Sequence, residues 1–308
     1  MNTILYLVAS SFVNIVRLFP LKMIGMVGRQ IGFVFYYIDR RHRRVAVNNL
    51  SNCLGNSRSQ NEIIALAKEN FRRLGEVYLS ALKTAHIPPE KLGGILSVRG
   101  DDLIDRSKRD DGSEPSYMLA VGHFGNFEMY PKSGHFERGY NIGTTFRGFK
   151  QPWVDKLIKS LRGKSGCSFF DRRFDGAKLK TFMARSKTIT GLFADQNAGR
   201  SGILLPFFGQ PCSTNAAPAL FSLRYNLRLH GCYCRRLGLG RWELELSKEI
   251  PTKIDGQARP VEDIMTDVNA LYERYILEDP ANWFWVHDRW KRADRAKKRG
   301  NPKAASQN

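Results

Sequence analysis

Apolar residues recur along this chain at two spacings. Between Asn61 and Ala85, Ile64, Ala67, Phe71, Leu74 and Tyr78 fall three or four positions apart, the spacing of one helical face, and Pro88 and Pro89 close the segment. The same periodicity predicts helices over Ala46–Leu54, Pro152–Leu161, Ala177–Arg185, Ala216–Tyr225 and Val261–Leu277. Between them lie short, mostly apolar runs with the length of buried strands: Ile95–Arg99, Tyr117–Val121, Tyr140–Phe146, Gly166–Phe170 and Thr188–Ala194. Leu227–Arg236 and Trp242–Lys248, separated by Gly238–Gly240, read as a hairpin. Asp101–Ser116 reads as a short helix and a polar loop. Gly199–Thr214 reads as a loop carrying Leu204, Leu205, Phe207 and Phe208, which either face a ligand or a membrane or pack inward. Strands alternating with helices give an α/β fold, a mixed β-sheet flanked by helices.

The first forty residues follow neither pattern. Met1–Val16 is uncharged, and a second apolar run, Met23–Ile38, is interrupted only by Arg29 and Gln30. Each is shorter than the roughly 20 apolar residues a spanning helix needs. The cluster Arg40, Arg41, His42, Arg43 and Arg44 follows, and a basic flank marks the cytoplasmic side of a membrane segment. These features predict a helical, membrane-associated N-terminus over residues 1–40, either spanning or lying in the interface, with a buried core helix as the alternative. No basic region or small-residue cleavage site marks a removable signal peptide.

Charge narrows the partners. With 49 Lys and Arg against 29 Asp and Glu, the net charge is +20, an attraction for an anionic membrane, an acidic protein or a nucleic acid. No helix-turn-helix, zinc-finger or RNP signature accompanies it, so nucleic acid is not the expected partner, although a basic nucleic-acid-binding protein is the non-enzymatic alternative. The five cysteines show no C-x-x-C spacing and no metal pattern. Cys232 and Cys234 sit two apart on a strand and share a face.

Candidate chemistry gathers at strand ends. Gly122 ends the run Tyr117–Val121; His123 comes next and Glu128 five positions later, with Gly125 allowing a tight turn between them. A histidine with a carboxylate to orient it can take a proton from an alcohol. Arg147 and the pair Asp195 and Gln196 stand at two further strand ends, and polar groups converging on one sheet edge indicate a site.

The stretch HFGNFE (His123–Glu128) resembles the His-x4-Glu motif of the lipid A biosynthesis acyltransferases, the late lauroyl and myristoyl transferases of the lysophospholipid acyltransferase group. Phe127 stands where that family usually has Trp. The resemblance continues through FRGFKQPWVDKLI (Phe146–Ile158), FADQNAGRSGILLPFFGQPCSTNAAPAL (Phe193–Leu220) and DPANWFWVHDRWK (Asp279–Lys291). It implies a glycerolipid-acyltransferase-like fold and transfer of a fatty acyl group from an acyl thioester to a hydroxyl of a lipid A precursor or related glycolipid. The absence of a G-x-S-x-G elbow fits direct attack by the acceptor. On that reading His123 is the general base and Glu128 its partner. Arg147, or backbone N–H groups at Gly125 and Asn126, stabilises the oxyanion. Arg147 and Lys150 alternatively bind a phosphate, and Asp195 and Gln196 position a sugar or glycerol hydroxyl.

The expected organisation is a membrane segment over residues 1–40, an acyltransferase domain over 41–292 and a basic, disordered tail over 293–308. The expected partners are acyl carrier protein or acyl-CoA as donor, a glycolipid acceptor and an anionic membrane surface, with no cofactor and no metal. The expected place is the inner membrane, catalytic domain on the cytoplasmic side. Phosphatidylinositol mannoside and lysophospholipid acyltransferases share the motif and are the enzymatic alternatives. Trp283, His287 and Trp290 are expected on one helical face.

Overall fold

In a computed structural model, residues 2–109, 111–135, 139–163 and 165–291 are described, so the basic tail lies outside them. Four helices lead: α1 (Asn2–Leu18), α2 (Leu21–Ile38), α3 (Arg40–Leu54) and α4 (Gln60–Thr84). The third begins at the arginine cluster rather than at Ala46, because Asp39 caps it, its carboxylate accepting from the His42 N–H at 3.0 Å. A capping box of Ser59 and Glu62 starts α4.

The strands of the main sheet are β1 (Leu96–Arg99), β2 (Tyr117–Val121), β3 (Asn141–Phe146), β4 (Ser168–Asp171) and β5 (Thr188–Phe193), followed by β8 (Arg228–Gly238) and β9 (Arg241–Glu249). Between β5 and β8 the chain makes a small separate hairpin, β6 (Ile203–Phe207) with β7 (Gln210–Thr214). Among the described residues the main sheet has seven strands in the order β1-β9-β8-β2-β5-β3-β4. All adjacent pairs are parallel except the β8–β9 hairpin, so the sheet is mixed. Helices α5 (Pro152–Arg162), α6 (Gly176–Met183), α7 (Ala217–Tyr225) and α8 (Val261–Glu278) complete the fold. The α/β class expected from the sequence is the one observed.

Both faces of the sheet are covered. Met118, Ala120 and Leu192 join α8 residues Ile264, Val268 and Tyr272 in one apolar cluster. Tyr117, Leu119, Val121, Ile142 and Ile189 belong to a second cluster with Met129 and Tyr130. Burial on both faces explains why these strands read as continuous apolar runs rather than alternating ones.

Two expectations fail. Gly199–Thr214 is mostly the β6–β7 hairpin and not a loop, and of its two readings Phe207 follows the inward one, with no exposed surface. Trp283, His287 and Trp290 share no helical face: a short 3-10 turn covers Pro280–Asn282, and Trp283 bridges to Phe124 in an antiparallel pair. Backbone paired across sheet and tail cannot be helical.

At the N-terminus, α2 lies against α4 with backbones touching at glycines. A Cβ on Gly75 would fall 2.1 Å from the Gly28 carbonyl oxygen, and one on Gly32 would fall 2.1 Å from that of Phe71. No helix among the described residues is long and apolar enough to cross a membrane. Large apolar side chains nonetheless stand exposed along both leading helices, including Ile4, Val8, Phe12, Ile15, Met26, Val27, Ile31 and Phe35.

Candidate active site

Parallel pairing of β2 with β5 places Val121 opposite Phe193. Two residues beyond each lie His123 and Asp195, which therefore meet above the same edge of the sheet. Asp195 Oδ2 accepts the His123 backbone N–H at 2.7 Å, and Oδ1 lies 2.8 Å from His123 Nδ1. An ionised carboxylate only accepts, so Nδ1 carries the proton and Nε2 is left with its lone pair. The Trp283 indole N–H also donates to Asp195 Oδ2, at 2.9 Å. Burial alone would push the Asp195 carboxyl up, but the facing imidazole and these hydrogen bonds outweigh it and hold the group below its ordinary value.

The carboxylate that orients His123 is thus Asp195 and not Glu128. Glu128 instead receives the Arg162 guanidinium in a two-pronged pair, Nε to Oε2 at 3.1 Å and Nη2 to Oε1 at 2.5 Å. The reason is the path of the backbone. Gly125 takes a left-handed conformation, φ 47°, and its N–H donates to the Asn282 carbonyl at 3.0 Å. The following 3-10 helix, Phe127–His135, carries Glu128 toward the end of α5. Aromatic rings enclose the imidazole instead: Phe193 at 4.2 Å, Phe127 at 5.1 Å and Phe284 at 5.7 Å between centroids.

His123, Glu128, Arg147 and Gln196 all line one cavity of about 600 Å³, a size suited to a substantial ligand. Its floor is apolar, with Leu119, Val121, Ile142 and Ile189 from the sheet. Arg147, Arg162, Arg172 and Lys180 bring positive charge to it, against Glu128, Asp171 and Asp175. Lys150 is exposed and outside the lining. Gly125 and Asn126 do not serve as the expected oxyanion donors: the Gly125 N–H is committed to Asn282, and neither residue reaches the cavity. Among the described residues no group of three or more His, Cys, Asp and Glu side chains could hold a metal ion.

Several residues at the site were not foreseen from the sequence. Arg162 lies just past the predicted end of its helix and was not singled out, and Trp283 was expected only on a helical face with His287 and Trp290. His287 is pushed down to about 4 by burial; it stays neutral and its Nε2 accepts the Asn197 N–H at 3.0 Å. Arg289 is fully buried, its guanidinium donating to the carbonyls of Gln196 and Ser213 and to Thr214 Oγ1. The tail segment from Trp283 to Arg289 thereby clasps the end of β5 that carries Asp195.

Among curated proteins, none is significantly similar to this chain. The family model for bacterial lipid A biosynthesis acyltransferases, in contrast, matches residues 2–292. That span takes in the leading helices, the sheet, the His123 cavity and the clasping tail together, and the chain belongs to the bacterial lipid A biosynthesis acyltransferase family.

Proposed function

We propose that the protein transfers a fatty acyl group from an acyl thioester to a hydroxyl of a lipid A precursor at a membrane surface. The observation that carries this is a histidine fixed by a buried aspartate at the mouth of an apolar-floored cavity with basic residues around it. His123 Nε2 takes the hydroxyl proton as the acceptor oxygen attacks the thioester carbon. The C–O bond forms, the C–S bond breaks, and the imidazolium returns its proton to the leaving thiolate. Asp195 stabilises that imidazolium. Arg147 and Arg162, both in the cavity wall, supply positive charge for the oxyanion or for a phosphate of either substrate. A covalent route through cysteine is disfavoured: burial pushes the Cys167 and Cys232 thiols at the cavity up to about 12, far from the thiolate form. The donor is acyl carrier protein or acyl-CoA, both anionic and suited to the +20 charge. Mass spectrometry of membrane lipids tests the reading. Deleting the gene should remove one acyl chain from lipid A, restoring it should return the chain, and restoring a His123→Ala copy should not. Unchanged lipid A in the deletion strain would overturn it.

The exposed apolar faces of α1 and α2 support attachment in the plane of the interface, on the inner membrane with the catalytic domain facing the cytoplasm. Burying one such side chain contributes about 1.5–3 kcal/mol. Replacing Phe12, Ile15 and Val27 together by Asp should therefore weaken partitioning into anionic vesicles by roughly 100-fold or more. Vesicle flotation of the full chain measures this, and a triple variant that floats like the parent would place the anchor elsewhere.

A further inference from the structure

The cavity at His123 touches apolar residues of both core clusters, which lie on opposite faces of the sheet. Ile142 and Ile189 belong to one, Leu179 and Leu192 to the other. A cavity can join both faces of a sheet over the strand ends or where neighbouring strands part, and here two strands part short of their ends. Pairing of β3 with β5 ends at Thr144 opposite Gly191. Beyond that point β3 continues with β4 as far as Phe146, and β5 continues with β2 as far as Phe193. The two strands therefore fork, and Gly191 sits in the crotch, where the Thr144 hydroxyl donates to its carbonyl at 2.8 Å.

Nothing in the packing or the backbone requires glycine at this position. A Cβ built on Gly143 would fall 2.6 Å from the Phe182 ring, and one on Gly231 would fall 2.0 Å from Leu271. These two strand glycines are closed in by neighbours. A Cβ on Gly191 would meet only Val121 Cγ1, at 4.0 Å, and its φ is not in the left-handed region. Glycine weakens a strand, and one left in open space within a strand marks the close approach of something else. Here that open space is the cavity.

Resting on the acyl-transfer reading above, we propose that the fatty acyl chain passes through the sheet at the fork of β3 and β5, and that Gly191 sets the chain length accepted. Phe193, in contact with the His123 ring, is two residues along the strand, about 7 Å from Gly191. A short acyl chain ends before the fork; a long one runs through it toward Leu179. A side chain at residue 191 projects on the face that carries Ile189, where alanine narrows the entry to the passage and valine closes it.

The test compares the parent with Gly191→Ala and Gly191→Val, each as full-length protein in detergent, using hexanoyl, decanoyl, lauroyl and myristoyl thioester donors. Each methylene denied burial lowers affinity about fourfold. Gly191→Val should therefore lower kcat/KM for lauroyl and myristoyl donors by roughly 50-fold or more, change hexanoyl by less than about threefold, and keep its melting temperature; Gly191→Ala should fall between. A second arm needs no turnover: displacement of a bound fluorescent fatty acid by free fatty acids of the same lengths. The parent should bind the long acids, and Gly191→Val should lose them selectively. If the parent transfers no acyl group yet binds long acids that Gly191→Val excludes, acyl transfer is wrong and the passage stands. If Gly191→Val slows all donors equally, or none, or if the parent shows no length dependence in either arm, the passage is wrong.

Discussion

Alanine at His123 slows acyl transfer by roughly 100-fold to 10,000-fold, the usual worth of a positioned general base, and leaves the protein folded. The imidazole stands beyond the strand end, partly open to the cavity, and contributes little to the core. Asn at Asp195 is expected to cost a similar factor by a different route. An amide keeps the shape, but its NH2 can face Nδ1 and favour the tautomer that protonates Nε2, the nitrogen needed as base. The two losses do not add, because without the imidazole there is no proton transfer left for Asp195 to assist. Gln at Glu128 behaves differently. It weakens the clamp on Arg162 at the cavity mouth, so its effect should fall on KM and leave the pH profile of turnover near that of the parent. Rates across pH and melting temperatures for the three single variants and the His123/Asp195 double variant decide the assignment. A folded His123→Ala protein with full activity would sink the mechanism, and a Glu128→Gln defect larger than that of Asp195→Asn would return the orienting role to Glu128.

Valine at Gly75 is expected to be among the most destabilising single changes in the chain. Its Cβ would overlap the Gly28 carbonyl oxygen at 2.1 Å and crowd the Gly32 nitrogen at 2.8 Å, and backbone atoms cannot step aside as side chains do. Overpacking of this kind costs about 3 kcal/mol, which in a domain of this size lowers Tm by about 5 °C. The contact matters beyond its own area because the buried Glu76 beside it is held by Arg236 of β8 at 3.0 Å and Arg29 of α2 at 3.5 Å. Parting the helices would strip Arg29 from a buried carboxylate. Thermal melting of the detergent-solubilised protein checks this, and an unchanged midpoint would mean that α2 is not docked as described.

The strands and most helices were legible because burial on both sheet faces writes an apolar run and burial of one helix face writes a period. Tyr117–Val121 was bounded correctly from its residues alone. The β6–β7 hairpin was hidden by Pro206 and Pro211, residues that normally argue against a strand. They lie opposite each other in the register, so the missing N–H groups fall together on a short two-stranded ribbon. At the site, three strand ends did converge as expected, and Asp195 was picked out, but for a substrate hydroxyl rather than for His123. Its true neighbour depends on β5 lying beside β2, and nothing in either strand encodes that adjacency. Glu128 misled because five positions is close in sequence. The Gly125 turn that sends it away is fixed by Asn282, more than 150 residues downstream.

The clasp of the tail on Asp195 also bears on when the protein becomes active. His123 and Asp195 are separated by 72 residues, and Trp283 lies a further 88 along the chain. The edge strand β1 likewise has no partner until β9 has been made. No local nucleus can assemble this centre, so it closes only after nearly the whole chain has left the ribosome. Synthesis at about 5–20 residues per second completes α1 and α2 about 10–60 s before Trp283 exists. On the proposed interfacial reading, the chain is moored beside its acceptor before its base can activate the acceptor hydroxyl, and a nascent chain wastes no donor.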